Sequence, residues 1–313
     1  MGMSPKSIVS GIWPTMLTPF TKENGIDWIS LERLVNWYID QGVHGLFAVC
    51  QSSEMFHLTL EERVEIAAFV KEKSCGRVPV IASGHIGGAF DEQVTELNAL
   101  AATGIDSLVL ITNRLADEHE SEETALKNLK CLLREIPEDI PLGFYECPFP
   151  YKRLLSKQML EFCIESNRFQ FIKDTCCDTE MIKERLALLE GTGIKLFNAN
   201  AATLLESLRA GAAGYSGVMA NFHPSLYVQL WNQFRESVEE AELRIALLSM
   251  ASLIEKQNYP DNAKYHLVLE HIFETDRSRV LPEGRLSDTN RLEVRQLRHM
   301  TRWLEVSTGQ RNR

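Results

Sequence analysis

The chain has 313 residues, with 33 basic and 43 acidic side chains and a formal net charge of -10. That length exceeds the ~250 residues at which a single core stops growing, so one large domain with an appendage, or two domains, is expected. The acidic balance leaves no electrostatic footprint for nucleic acid or an anionic membrane, and the expected partner is a small molecule.

The first apolar run, Ile12 to Leu17, predicts a strand, and Ser30 is placed to cap an amphipathic helix over Leu31 to Ile39. Gly45 to Val49 predicts a second strand, which runs into the polar stretch Cys50-Gln51-Ser52-Ser53-Glu54. Thr59-Leu-Glu-Glu62 is a capping box that starts a helix over Glu61 to Lys73. Further strands are predicted at Val78 to Ala82, Ser107 to Ile111, Leu142 to Tyr145, Phe169 to Lys173, Lys195 to Phe197 and Gly214 to Val218. Asp91, Ser121 and Ser156 are placed to begin helices between them. Short apolar runs alternating with helical stretches demand parallel strands. Eight such units, spaced by roughly 20 to 35 residues, match a closed (β/α)8 TIM barrel. An open doubly wound sheet is the alternative, but no GxGxxG follows the first strand.

Beyond the eighth run the pattern turns helical: Pro224 to Val238, Glu240 to Lys256, Asp261 to Glu274 and Asp288 to Leu304. The expected division is a catalytic barrel over 1–238 and a C-terminal helical extension over 239–313. No apolar run approaches the ~20 residues needed to span a bilayer, and the N-terminus has no apolar leader region, so a cytoplasmic location is expected. Seven cysteines, an odd number without zinc-ligand spacing, fit reduced thiols.

In such barrels the chemistry sits at the C-terminal strand ends. The sixth run closes on Lys173, on the same face as Phe169 and Phe171 by the two-residue period. A desolvated lysine there loses its proton more readily and can attack a carbonyl to form an imine; the same residue could instead snorkel outward. Tyr145 closes the neighbouring fifth run, within reach of Lys173, where a phenol can move protons or simply pack. After the second run, Ser52 and Ser53 could offer hydroxyl and backbone donors to a carboxylate, or form an ordinary polar turn.

Several segments, taken in order, resemble the dihydrodipicolinate synthase and N-acetylneuraminate lyase family. They are Thr18-Pro19-Phe20, Asn24-Gly25-Ile26-Asp27, Gly42-Val-His-Gly45 and Leu58-Thr-Leu-Glu-Glu-Arg63, then Tyr145 with Pro148, Ile172-Lys173-Asp174-Thr175 and Gly214 to Asn221. The resemblance implies a class I lyase or aldolase with Lys173 as imine nucleophile and Tyr145 as proton relay. It also implies no metal, no cofactor and a homotetramer. Within the eighth-strand segment, Ser216 is a candidate substrate-binding residue.

Departures from the family pattern shape the expected substrate. The family's Gly-Thr-Thr-Gly-Glu loop reads Cys50-Gln51-Ser52-Ser53-Glu54 here, so only Ser52 and Glu54 keep its chemistry. The stretch Ile111 to Leu115 supplies no relay tyrosine, and Pro150 stands where the synthases carry arginine. Asn198 and Asn200 replace the acidic residues of the sialic acid lyases. With Gln51 they give neutral amides suited to hydroxyls, and Ser53 joins them as a candidate substrate contact. The expected reaction is cleavage of a 2-keto-3-deoxy acid to pyruvate and an aldehyde, or its reverse. Rival readings are a non-catalytic keto-acid binder, motivated by Cys50, Gln51 and Leu115, and a synthase-like condensing enzyme. A metal-dependent aldolase ranks last, because His85, His119 and His223 show no HxxxH or HxH spacing.

Overall fold

The computed structural model describes residues 7–280 and 284–309; residues 1–6, read above for a leader, lie outside them. Eight short strands run β1 Gly11–Ile12, β2 Leu46–Phe47, β3 Val80–Ala82, β4 Ser107–Ile111, β5 Leu142–Tyr145, β6 Phe169–Asp174, β7 Lys195–Asn198 and β8 Gly214–Tyr215. All pair in parallel, in the order β1-β8-β7-β6-β5-β4-β3-β2. The two end strands meet through a parallel bridge between Thr15 and Phe47, where Met16 N donates to Phe47 O at 3.0 Å and Phe47 N to Pro14 O at 3.1 Å. That bridge closes the ring, as the expected (β/α)8 barrel requires.

Helices α1 Trp28–Asp40, α2 Leu60–Ser74, α3 Phe90–Ala101, α4 Glu122–Glu135, α5 Lys157–Ser166, α6 Thr179–Leu189, α7 Leu204–Arg209 and α8 Pro224–Gln233 follow the eight strands in turn. The capping box forms as read, with Thr59 N donating to Glu62 Oε2 at 3.0 Å and Glu62 N to Thr59 Oγ1 at 3.2 Å. Ser121 and Ser156 cap α4 and α5. Two expected caps move. Asp27, not Ser30, caps α1, because its carboxylate takes Ser30 N at 3.0 Å and the Ser30 hydroxyl at 2.6 Å. At α3, Asp91 lies inside the first turn, and Glu92 reaches back to Ala89 N at 3.3 Å.

Aromatic rings fill the barrel interior. Phe171 on β6 stacks on Phe197 on β7 with centroids 4.7 Å apart, and Trp13 contacts both rings from the β1 side. Each buried ring contributes on the order of 1.5–3 kcal/mol by leaving water. Gly45 is required beside them, since a Cβ there would come within 2.4 Å of the Trp13 ring.

The C-terminal stretch forms α9 Val238–Ala251, a 3-10 segment Ser252–Lys256, α10 Asp261–Leu269 and α11 Asp288–Gly309. α10 ends five residues before the expected Glu274. The 3-10 segment packs on the turn Val218–Asn221 that leaves β8, and α11 packs on α8 and α10. The loop after β2 is tied to this region by a salt bridge between Glu54 and Lys264, both fully buried. Glu54 Oε2 also accepts from Arg279 N at 2.5 Å and Val280 N at 3.1 Å, and Lys264 Nζ donates to Arg277 O at 2.8 Å.

Candidate active site

Lys173 pairs in register with Tyr145 on β5 and with Phe197 on β7, and since Phe197 packs into the barrel, Lys173 points inward with it. The side chain is 4 % exposed. Its Nζ stands 4.2 Å from the centre of the Tyr145 ring and 5.9 Å from that of Phe47. No carboxylate pairs with it among the described residues. Burial lowers its pKa from the usual lysine value, while Cys50, Cys147 and Glu255 act in the opposite direction. The amine is thus biased toward the neutral form that attacks carbonyls.

Tyr145 offers Lys173 its ring face, and its hydroxyl goes elsewhere. The phenol donates to Gln51 Oε1 at 3.3 Å, and the Cys147 thiol donates to the same oxygen at 3.5 Å. Burial holds the Tyr145 pKa well above its usual value, reinforced by Cys147 and Cys50, so the phenol keeps its proton at neutral pH. Cys147 was missed by sequence reasoning, although it lies two residues beyond Tyr145.

The Cys50–Glu54 loop divides its roles. Gln51 reaches the site through Tyr145. Ser52 Oγ donates to Thr15 Oγ1 at 3.1 Å. Asn221 Nδ2 joins the same cluster, reaching the Tyr259 hydroxyl at 2.8 Å and Thr15 O at 3.0 Å. Ser53 turns away from any ligand: its hydroxyl donates to Cys50 O and accepts from Cys50 N, both at 2.7 Å. Its hydroxyl thus closes its own loop.

The amides after β7 are likewise committed. Asn198 Nδ2 donates to Thr203 Oγ1 at 2.9 Å and Ser207 Oγ at 3.0 Å, while its Oδ1 accepts from Asn200 N at 2.7 Å. Asn198 follows inward-facing Phe197, so the strand alternation sends it to the helix side, and it does not join Lys173. Asn200 Oδ1 takes Ala202 N at 2.8 Å and Thr203 N at 3.2 Å, which folds the loop before α7. Ser216 differs: it lies two residues beyond Gly214, the register partner of inward Phe197, and its buried Oγ has no hydrogen-bond partner. It remains open to a ligand.

Outside the barrel wall, Arg185 on α6 clamps the ends of β5 and β6. It forms a salt bridge with Asp174 and another with Glu146 at 2.8 Å, and Glu146 also accepts from Leu155 N at 2.7 Å and Thr175 N at 2.9 Å. These outward neighbours hold Lys173 and Tyr145 in register. Arg153 binds the carbonyls of Asp117, Glu120 and Ser121 in the loop between β4 and α4, and Lys152 binds Thr175 O at 2.7 Å. Among the described residues, no group of three or more His, Cys, Asp or Glu side chains is placed to hold a metal ion. No helix among them is long and apolar enough to cross a membrane.

A closed (β/α)8 barrel with a desolvated inward lysine at the end of β6, beside a phenol on β5, has the architecture of a carbon-carbon lyase-type enzyme. The chain belongs to the Dihydrodipicolinate synthetase family, whose sequence model matches residues 8–299. It is 26% identical over 247 residues to a 4-hydroxy-tetrahydrodipicolinate synthase of Clostridium tetani, covering 78% of this chain and 81% of that one. Among solved structures it resembles the chloride-inhibited dihydrodipicolinate synthase of Acinetobacter baumannii complexed with pyruvate, with a TM-score of 0.83, 23% identity and coverage of 94% and 99%. It also resembles YagE, a prophage protein of the same family from E. coli K12 in complex with pyruvate, with a TM-score of 0.83, 22% identity and coverage of 96% and 99%. These structural likenesses speak for the shared barrel.

Proposed function

We propose that the chain is a class I lyase that forms a Schiff base between Lys173 and a 2-keto acid, and that it cleaves 2-keto-3-deoxy acids to pyruvate and an aldehyde. The observation that carries the reading is the buried, unpaired Lys173 amine over the Tyr145 ring. Attack on the keto carbon gives a carbinolamine, and loss of water gives a cationic imine that accepts the electron pair released when the C3–C4 bond breaks. Tyr145, whose ring lies against the amine, is the proton carrier, and Gln51 orients its hydroxyl. Ser52 and Ser216 supply hydroxyls for the substrate carboxylate and keto-acid end.

Gln51 favours a lyase over a synthase-like condensing enzyme. A side-chain amide accepts the phenol proton's hydrogen bond but does not pass a proton onward as a hydroxyl does. Leu115 is buried where the family's synthases bring a relay tyrosine, and the Arg153 guanidinium is taken up by the carbonyls of the loop after β4, which argues against both the relay and a distal carboxylate clamp. Hydroxylated 2-keto acids are accordingly expected to be cleaved faster than N-acetylneuraminate, with poor condensation of aspartate semialdehyde and pyruvate. The reading includes a cytoplasmic homotetramer and a barrel unit over 1–238 followed by a helical unit over 239–313.

The test is borohydride trapping. Incubation with pyruvate and borohydride should add one reduced pyruvate to Lys173, detected by mass spectrometry of the intact chain and its peptides. An unchanged mass, or label that survives Lys173→Ala, would overturn the assignment.

A further inference from the structure

Two donors converge on one acceptor beside the candidate nucleophile. The Tyr145 phenol reaches Gln51 Oε1 at 3.3 Å and the Cys147 thiol reaches it at 3.5 Å, while the Tyr145 ring centre lies 4.2 Å from Lys173 Nζ. Both ends of this contact are held by the backbone. Gln51 opens the 3-10 turn Gln51–Ser53, which Glu54 N closes by donating to Gln51 O at 2.9 Å. Cys147 N donates to Tyr145 O at 2.9 Å, and Asn113 Nδ2 holds Cys147 O at 2.8 Å and Phe149 O at 2.9 Å. Phe149 O, 3.5 Å from the thiol, is its second acceptor.

A side-chain amide has an oxygen that accepts and a nitrogen that only donates, so its orientation decides what it shows a ligand. The surroundings of Gln51 select one orientation. Burial raises the pKa of the Tyr145 phenol and of the Cys147 thiol, so both carry their protons at neutral pH. A flipped amide would set its N–H groups against two protonated donors and remove the acceptor they share. With Oε1 occupied by both, the Nε2 hydrogens face elsewhere. Nε2 makes no hydrogen bond with any described residue, and on this partly exposed side chain it is not sealed from solvent. Two unused N–H donors thus stand next to the hydroxyl assigned to proton transfer.

We propose that Gln51 Nε2 donates to the C4 oxygen of the substrate and selects 2-keto acids that carry a hydroxyl there, with Cys147 as the positioning residue that fixes the amide. The inference rests on the reading of Lys173 as the imine-forming residue and Tyr145 as the proton carrier. Cleavage between C3 and C4 turns the C4 hydroxyl into an aldehyde, so its proton must leave, and that oxygen comes to the carrier. Gln51 Nε2 shares a carbon with the oxygen that the phenol touches, which brings the C4 oxygen within its reach. An acid with only a methylene at C4 would cover these N–H groups without giving them an acceptor. A site built to hydrogen-bond a substrate oxygen rejects the analogue that lacks it.

The test compares the full-length chain with Gln51→Met, Cys147→Ala and Cys147→Ser. Borohydride trapping on Lys173 is measured against concentration for 4-hydroxy-2-oxopentanoate and 2-oxopentanoate, which differ only in the C4 hydroxyl, with pyruvate as the control. Mass spectrometry counts the intact five-carbon adduct. The ratio of the two half-saturating concentrations cancels whatever Tyr145 contributes to imine formation on both acids. The wild type should prefer the hydroxylated acid by about ten-fold, the size of one hydrogen bond. Gln51→Met should bring that preference close to one. Cys147→Ala should reduce it about three-fold, as the oriented amide becomes one of several conformers, and Cys147→Ser, which keeps a donor, should retain it. Should Gln51→Met trap no pyruvate, Gln51→Asn, which withdraws the amide by one methylene, takes its place with the same expected loss. A wild type without the preference, or a preference that survives both Gln51 variants, overturns the Gln51 contact while the lysine reading stands. Equal ratios in Cys147→Ala and Cys147→Ser overturn the role of the thiol. If the wild type traps no pyruvate at all, the lysine reading fails and carries this inference with it.

Discussion

The phenol of Tyr145 is committed to Gln51 at 3.3 Å, while its ring face lies against the Lys173 amine at 4.2 Å. One side chain thus covers the lysine with its ring and keeps a protonated hydroxyl on Gln51. Tyr145→Phe keeps the shielding ring and removes the proton carrier. Turnover should fall by about 100- to 10,000-fold with the thermal unfolding profile retained. Steady-state kcat alongside circular dichroism decides it, and undiminished kcat in a folded variant would reduce Tyr145 to packing.

Gln51 serves two donors, the Tyr145 phenol and the Cys147 thiol. Gln51→Leu leaves both without that acceptor inside a buried site, a loss of about 1–3 kcal/mol by the usual cost of an orphaned polar group. Urea unfolding should show that loss together with reduced kcat. A variant as stable and as active as the wild type would break the link between Gln51 and Tyr145.

The buried Glu54–Lys264 bridge binds the loop after β2 to α10 and to the 277–280 stretch. Removing one partner strands the other charge in the interior, so Lys264→Met should destabilise by roughly 3–5 kcal/mol. Glu54→Gln/Lys264→Met, which removes both charges, should recover part of that loss. Equal stability of the single and double variants in urea would mean the two charges are not coupled.

Lys173 links function to stability through pH. Its pKa is lowered in the folded chain by burial, whereas the unfolded chain keeps a value of about 10.4. Between those two values the unfolded state binds the extra proton, so stability should rise with pH across that window. Lys173→Met removes the titration, and its stability relative to the wild type should be greatest below the window and shrink as pH climbs through it. Parallel urea curves for the two proteins at every pH would contradict a desolvated lysine.

Much of this was legible in the sequence. Eight apolar runs placed every barrel strand, because parallel strands buried on both faces need continuous apolar segments. The inward direction of Lys173 followed from the two-residue period it shares with Phe171, whereas a register shift between Leu142 and Gly143 turns Phe169, expected on that face too, outward onto Phe144. The same period was sufficient to send Asn198 outward behind Phe197, but its amide chemistry suggested a ligand contact instead. For Ser53, nothing local in the sequence distinguishes a serine that offers its hydroxyl from one that closes on Cys50. Tyr259 carried no signal, since only the packing of a C-terminal segment onto the exit of β8 brings it to Asn221.

Asn198 and Ser216 make the sharpest contrast between a polar residue that builds the fold and one left free for a ligand. Asn198 satisfies Thr203, Ser207 and the Asn200 amide, so Asn198→Ala should cost about 1–3 kcal/mol in urea unfolding and leave the half-saturating concentration for pyruvate trapping nearly unchanged. Ser216 Oγ is buried with no partner in the protein, so Ser216→Ala removes an unsatisfied group and should leave stability the same or higher. Its cost should fall on binding instead: losing one hydrogen bond to the keto acid, worth about 1.4 kcal/mol, weakens half-saturation about ten-fold. Trapping curves and urea melts on both variants separate the two roles. The assignment reverses if Asn198→Ala weakens trapping at constant stability while Ser216→Ala unfolds early and traps normally.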